Sequence, residues 1–409
     1  MNEQIIALAV FIPCFVLIIL RRFRVAYVAL AAAGALLLTR VVSPSQATRL
    51  IDWNVLGMCW GFGMLSLAFI QSRVPAAIAS SLLRRPKQEK LIIFYLCCLA
   101  AFLSSFLYNP VVVLMLAPIA METARRTGSR LFDYLIPLAI SSNAVTTVTM
   151  VSDPPALILA EKSSMGFLDF YWFHSKIGLG IISALGAVAA LFSLLWVFRT
   201  KTRKVFLAGE KIEVSYGATA LLVGGILALI FRAPPGLVGI GVGILSLALM
   251  RNNLHRLKEF DWETLLFIAG IFVVVGSLEL TRVLEKFVNW FATLQIRNPS
   301  LLLALVVWLS VGLSSFIDNV PFTLLMIPVC KGIASGLGMS PMPLLYGMVV
   351  GTGIGGNLLP VGATANVIAC GMLEKQGYRV RLREYVRVAL PFTLLAVAVS
   401  HLLLQLIWM

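Results

Sequence analysis

Charge is scarce in this chain. Only 12% of its 409 residues are Asp, Glu, Lys or Arg, with 18 acids and 3 histidines, too few to cover a soluble domain of this length. His174, His255 and His401 stand far apart, and none has a metal-ligand partner at helical spacing. The six cysteines (Cys14, Cys59, Cys97, Cys98, Cys330, Cys370) fall inside apolar segments without zinc-type or secreted-framework spacing. They are expected to pack as small apolar residues rather than to do redox or metal chemistry. Neither HExxH nor GxSxG occurs, so nothing supports hydrolysis, and the literal GxGxxG at Gly351 to Gly356 lacks the strand-turn-helix unit of a dinucleotide site. No enzyme activity and no cofactor are expected. No basic cluster precedes the first apolar run, Ile5 to Leu20; Arg21, Arg22 and Arg24 follow it, as suits a retained first span rather than a cleaved signal.

What is present is apolar surface. Hydrophobic residues make up 60% of the chain and mean hydropathy is +0.95, which together predict an all-α polytopic membrane protein. The net charge of +15 sits in short clusters between apolar runs. These clusters are topology signals, not a nucleic-acid face. Spans are predicted near 4–20, 25–42, 54–71, 131–160, 176–198, 214–231, 235–250, 262–280, 342–372 and 386–408, most close to the ~20 residues a crossing needs. Segments 91–121 and 301–333 differ: each has a long apolar arm, a polar centre (Tyr108-Asn109-Pro110; Asp318-Asn319-Val320-Pro321) and a second arm predicted too short to cross at ~1.5 Å per residue.

Taking both as re-entrant hairpins puts 24 of the 33 Lys and Arg on one side; taking both as crossings lowers the split to 19 against 14. The positive-inside rule favours hairpins, with both termini non-cytoplasmic and the chain a multi-pass protein of the plasma (inner) membrane. Residues 75–90 and 283–295 are expected to form amphipathic surface helices with their connectors, on opposite faces.

A repeat underlies this pattern. Leu103-Ser104-Ser105-Phe106 recurs as Leu313-Ser314-Ser315-Phe316, Asn109 answers Asn319, and Thr147 to Ser152 falls on Asn357 to Gly362 at the same 210-residue offset. Asp52-Trp53 and Asp261-Trp262 lie one residue off it. Five spans plus a hairpin make an odd number of crossings, so the second half (212–409) is predicted to be inverted relative to the first (1–211).

Two spans carry their own breaks. Ser141-Ser142-Asn143 to Thr147 precedes Ser152-Asp153-Pro154-Pro155 in the first; Gly351 to Asn357, Pro360 and Gly362 to Asn366 mark the second. Prolines remove backbone donors and glycines let the chain turn, and unwound backbone is tolerated at membrane depth only inside protein or along a cavity. Freed carbonyls suit a hard cation, freed amides an anion. An ionised Asp in mid-membrane costs about 2.5 to 3.5 kcal/mol even on the gentler insertion scales, so Asp153 and Asp318 are candidates for an ion or proton role. The alternative for both is helix capping. Asn319, Asn357 and Asn366 are neutral oxygen donors suited to sodium or to bound oxyanions, or to holding the tip of a broken helix.

Asp261-Trp262-Glu263-Thr264, Asp318-Asn319-Val320-Pro321, and Gly355-Gly356-Asn357-Leu358-Leu359-Pro360-Val361-Gly362 with Asn366 resemble second-half motifs of the ion transporter superfamily. That superfamily includes arsenite permeases, sodium/proton antiporters, citrate transporters and divalent-anion/sodium symporters. Asp52-Trp53, Asn143 and Ser152-Asp153-Pro154-Pro155 resemble its first-half motifs. The resemblance implies a scaffold and a transport bundle whose hairpin tips meet the broken-helix loops. It implies a second-half sodium site at Asp318, Asn319, Gly356 and Asn357, and a first-half site at Asn109, Asn143 and Thr147. The expected activity is secondary active transport of a small inorganic or carboxylate anion, coupled to sodium or protons, with a homodimer possible; sodium/proton exchange or arsenite efflux is the alternative, and an ion channel comes behind both. The first half departs from the pattern at Pro110, Thr146-Thr147, Ser152 and Ala156, so coupling is expected to run mainly through the second half.

Overall fold

The computed structural model of the protein describes residues 2–20, 22–83, 87–205, 212–292, 298–317 and 319–409. The first half carries α1 (Asn2–Leu20), α2 (Val25–Leu38), α3 (Pro44–Leu50), α4 (Trp53–Ser72), α5 (Val74–Leu83), α6 (Glu89–Ser104), α7 (Asn109–Thr127), α8 (Phe132–Asn143), α9 (Pro154–Lys162) and α10 (Leu179–Val197). The second carries α11 (Gly217–Ile230), α12 (Pro235–Leu249), α13 (Trp262–Leu280), α14 (Val283–Ala292), α15 (Pro299–Ser314), α16 (Asn319–Gly336), α17 (Met342–Gly355), α18 (Thr364–Lys375) and α19 (Leu382–Trp408). Among the described residues, strands are confined to two short antiparallel ribbons: β1 (Lys87–Gln88) pairs with β4 (Lys204–Val205), and β2 (Trp172–Phe173) with β3 (Lys176–Ile177). The chain is an all-α polytopic membrane protein. By length and composition α1, α4, α10, α13 and α19 can each cross a bilayer; the two predicted long spans are broken between α8 and α9 and between α17 and α18.

The Asp-Trp echo is a helix start written twice. Asp52 caps α4 by accepting from the amides of Asn54 and Val55 at 3.1 and 3.2 Å, and Asp261 caps α13 by accepting from Thr264 at 3.0 Å. The tryptophans repeat as well: the Trp53 indole donates to the Thr48 carbonyl at 3.0 Å and that of Trp262 to Leu257 at 3.1 Å, each five residues back. A capping box at Ser43 and Gln46 starts α3, a short helix the hydropathy pattern does not predict.

Both unusual segments are hairpins, although their returning arms are longer than expected. α7 has 19 residues and α16 has 18, so arm length does not decide the matter; the contacts at the arm ends do. Tyr134, near the start of α8, donates to Glu89 at the start of α6 (3.3 Å) and lies 3.4 Å from the hydroxyl of Thr127 at the end of α7. The first hairpin therefore leaves and returns at one end. In the second, a Cβ built on Gly347, Gly351 or Gly355 would meet Leu303, Val307 or Val311 in turn. α15 and α17 thus run parallel and in step. The short link from α16 to the start of α17 then brings α16 back to the end where α15 began.

The two hairpins open toward opposite ends. Arg130, beside the base of the first, pairs with Glu384 in the first turn of α19, whereas Trp408 in its last turn packs edge-on to Tyr346 near the start of α17, with ring centroids 5.1 Å apart. α19 has 27 residues, about 40 Å at 1.5 Å per residue. The end holding Arg130 also holds Lys201, whose ammonium lies 3.1 Å from Glu89 and 2.9 Å from Asp133. Both described termini lie at the other end: Trp408 donates to the Ile177 carbonyl (2.9 Å) and Gln4 to that of Thr281 at the end of α13 (2.7 Å). The amphipathic segments form α5 and α14; residues 84–86 and 293–295 of those predictions lie outside the described residues.

Partners are exchanged between the halves. α2 packs on α13 and α4 on α12, while α9 meets α16 and α18 meets α7. Glycine makes the α4–α12 approach possible: a Cβ built on Gly61 would overlap the Gly239 carbonyl, and one on Gly239 the Gly57 carbonyl. Between apolar helices in lipid, such backbone proximity supplies the packing that water-driven burial cannot. Gly61→Ala is expected to prevent recovery of monodisperse protein in detergent, whereas Gly241→Ala, which meets nothing within 4 Å, should match the parent in size-exclusion profile; equal profiles for both variants would refute glycine-dependent packing.

Candidate functional site

Two helices that stop halfway leave terminal carbonyls and amides without helical partners. Here asparagine side chains take up that role. Asn143, the last residue of α8, donates to the Gly353 carbonyl at 3.0 Å and to Asn357 Oδ1 at 3.2 Å. Asn357, just past α17, donates in return to the Ile140 carbonyl at 2.9 Å, so each broken helix is closed by an amide from the other half. Asn109 at the first hairpin tip lies 3.5 Å from Asn143 Oδ1. Asn366 in α18 donates to the Gly356 carbonyl at 3.2 Å and to Asn357 Oδ1 at 3.4 Å.

The four amides form one ladder through the centre, and none is more than 4% exposed. Its donors point inward to Asn357. The carbonyl oxygens at its two ends, Asn109 Oδ1 and Asn366 Oδ1, are buried without a hydrogen-bond partner among the described residues. Such groups are costly to leave unmet in a low-dielectric interior. They are suited to accepting from a bound water or coordinating a hard cation.

Hairpin tips and breaks are stitched together in each half. The Thr149 hydroxyl donates to the Ser105 carbonyl in the first; in the second, Ser314 Oγ stands 2.6 Å from both the Thr352 carbonyl and Asn319 Oδ1. A cavity of about 40 Å³ lies where the pieces meet, lined by Asn109, Asn143, Asp153 and Asn319 with Gly362 and Ala363. It accommodates on the order of three water-sized spheres. A larger cavity of about 330 Å³ adjoins it, sharing Tyr108, Asp153, Asn319 and Thr364 and reaching Phe23 and Arg24 between α1 and α2. Since α1 begins at the end away from the basic loops, Arg24 lies at the basic end. The site opens there.

The sequence-predicted residues divide accordingly. Asn109, Asn143, Asn319, Gly356, Asn357, Asn366 and Asp153 are brought together. Thr147 is not: its hydroxyl donates to Ser183 of α10 at 2.9 Å, so it braces the break against the flanking helix instead of joining the first-half oxygen set. Asp318 lies outside the described residues. Asp153 occupies the N-cap position of α9 without a side-chain capping bond, which removes capping as the reason for its presence and leaves it lining the cavities. Gly356 is required by proximity, because a Cβ there would sit 2.8 Å from the Gly362 carbonyl.

Sequence reasoning missed Tyr385, Ser314 and Tyr108. Tyr385, fully buried on α19, donates to the Asn357 carbonyl at 3.0 Å; nothing in the periodicity of that helix marks it. Ser314 was visible within the echo but carried no assigned role. Tyr108 lines the cavities and its hydroxyl lies 3.4 Å from Asp261 Oδ2.

Comparison with known proteins agrees with this architecture. A family model described as a citrate transporter matches residues 15–351. A Mycobacterium tuberculosis protein named as an uncharacterized transporter is 27% identical over 422 residues, covering 98% of each chain. The 46 kDa membrane protein of Mycobacterium leprae is 27% identical over 426 residues with the same coverage. The P protein of Mus musculus is 25% identical over 469 residues, covering 91% of this chain and 56% of that one. Among solved structures, the YdaH transporter of Alcanivorax borkumensis, described as having an unusual topology, shares the fold at a TM-score of 0.54 and 14% identity, covering 86% of this chain and 84% of that one.

The ladder predicts a pattern of coupling. Asn143→Ala and Asn357→Ala should each cost about 1–3 kcal/mol of stability and combine non-additively, whereas Thr147→Val and Asn357→Ala should add to within about 0.5 kcal/mol. Equilibrium unfolding in mixed micelles measures both cycles. Strict additivity of the asparagine pair would show that the two amides do not act together.

Proposed function

The chain belongs to the citrate transporter family, and from that premise we propose that it is a secondary active transporter carrying a small inorganic or carboxylate anion, driven by a sodium or proton gradient. That it is a multi-pass membrane transporter follows from the family and the apolar helices; substrate, coupling and residence in the plasma membrane are the proposal. One observation carries it: an oxygen-rich centre built from both halves, with an unpartnered Asn109 carbonyl at one end of the amide ladder, faces a small cavity that adjoins a larger one reaching Arg24 at the basic end. A site reached from one side at a time is what alternating access needs. We place coupling mainly at the second-half set of Asp318, Asn319, Gly356 and Asn357, with repeat halves 1–211 and 212–409 moving as inverted counterparts.

A second reading, cation/proton exchange on the same scaffold, draws support from the cavity wall. Among the described residues, Asp153, Asp261 and Glu263 face it against a single Arg24, a balance that favours cations over anions in a confined space.

Flux in proteoliposomes with imposed sodium and proton gradients, assayed with sulfate, dicarboxylates, citrate, arsenite and sodium, separates the readings. Uphill anion uptake is expected, abolished by Asp318→Asn and weakened by Asp153→Asn. Downhill flux alone would mean a channel, uphill sodium movement without an anion would establish the exchange reading, and the reverse ranking of the two variants would move coupling to the first half.

A further inference from the structure

A third cavity, of about 300 Å³, lies beside the polar one between two pairs of helices. Phe62 of α4 and Leu265 of α13 line one side; Val111 and Leu114 of α7 with Ile368 of α18 line the other. Its size falls at the lower end of the range for small-molecule sites, and its lining has the expected character, mostly apolar with few polar groups.

The charges on this wall are of one sign. Asp153, Glu259 and Asp261 line it, and among the described residues no Lys or Arg does. Aromatic rings accompany the acids: Phe62 and Tyr108 line the same space, as does Phe260, whose ring lies so close to Gly63 that a Cβ there would touch it. Carboxylates and aromatic faces together attract a positive charge that is not strongly hydrated. An inorganic cation would forgo its hydration shell against the apolar remainder, and an anion would meet three carboxylates.

We propose that this cavity binds an amphipathic organic cation, with the apolar body between α4 and α7 and the positive centre near Asp261. Such an occupant touches both helix pairs at once. Asp261 also caps α13, and Asn is as good a cap as Asp. Asp261→Asn therefore removes the charge and keeps the helix start.

Tetraphenylphosphonium, compared with tetraphenylborate of the same shape and opposite charge, tests the site by equilibrium dialysis against the purified full chain in detergent, with empty micelles as blank. Saturable retention of the cation alone is expected, weakened at least tenfold by Asp261→Asn and lost in Leu114→Trp, which fills the cavity. Retention that rises without saturating, equal saturable retention of both ions, or saturable binding of the cation unchanged in both variants would overturn the proposal. If either variant does not yield folded protein, the comparison of the two ions on the parent chain decides the outcome.

Discussion

Breaking a helix in the middle of a bilayer exposes peptide groups where no water can satisfy them, and in this protein that requirement is met by side-chain amides reaching across from the opposite half. Asn143 closes the end of α17 and Asn357 the end of α8. Each amide is held by the helix it does not belong to. The unwound segments can then stay open as carbonyl-rich loops, since their own ends no longer need the hydrogen bonds that a continuous helix would provide. Tyr385 and Thr149 add further ties to the same loops, and the cavities exist because the loops stay unwound.

The rest of the architecture brings those two ends together. Hairpins opening toward opposite ends place both tips at the same depth. Exchange of partners, α2 with α13 and α4 with α12, locks the outer helices of one half to the other. The Gly61–Gly239 approach sets how closely they dock. The symmetry is not complete. On the side away from the basic loops, Asn54 donates to Glu161 at the end of α9 (3.2 Å) and Arg232 pairs with Asp169 (3.2 Å). At the basic end, a cavity of about 330 Å³ reaches Phe23 and Arg24.

Much of this was legible in the sequence, and the reasons differ by feature. Spans were visible because lipid demands an apolar residue at nearly every position. Hairpins were visible through the placement of basic residues, although the arms run on to Thr127 and Gly336, since Pro118 and Pro328 lie within helices that continue past them. The Asp-Trp echo was visible, but its meaning as a capped start with an indole bonded five residues back needed coordinates. Polar residues at the breaks were visible as a group; which faced the centre was not. Thr147 and Asn357 occupy equivalent places, yet Thr147 turns its hydroxyl to Ser183 and only its methyl to Gly353, whereas the longer amide of Asn357 donates to the Ile140 carbonyl of the opposite half. Tyr385 left no trace because its role depends only on which loop α19 happens to pass.

The amide ladder also constrains how the chain can be made. Ribosomes deliver the first half to the membrane before the second exists, so Asn109 and Asn143 enter the bilayer roughly two hundred residues of synthesis ahead of Gly353, Asn357 and Asn366, an interval set by the repeat offset. During that interval the end of α8 is unsealed and α2 and α4 lack the helices they pack against. The contacts that complete the first half's broken helix and outer helices therefore form only once the second half has arrived.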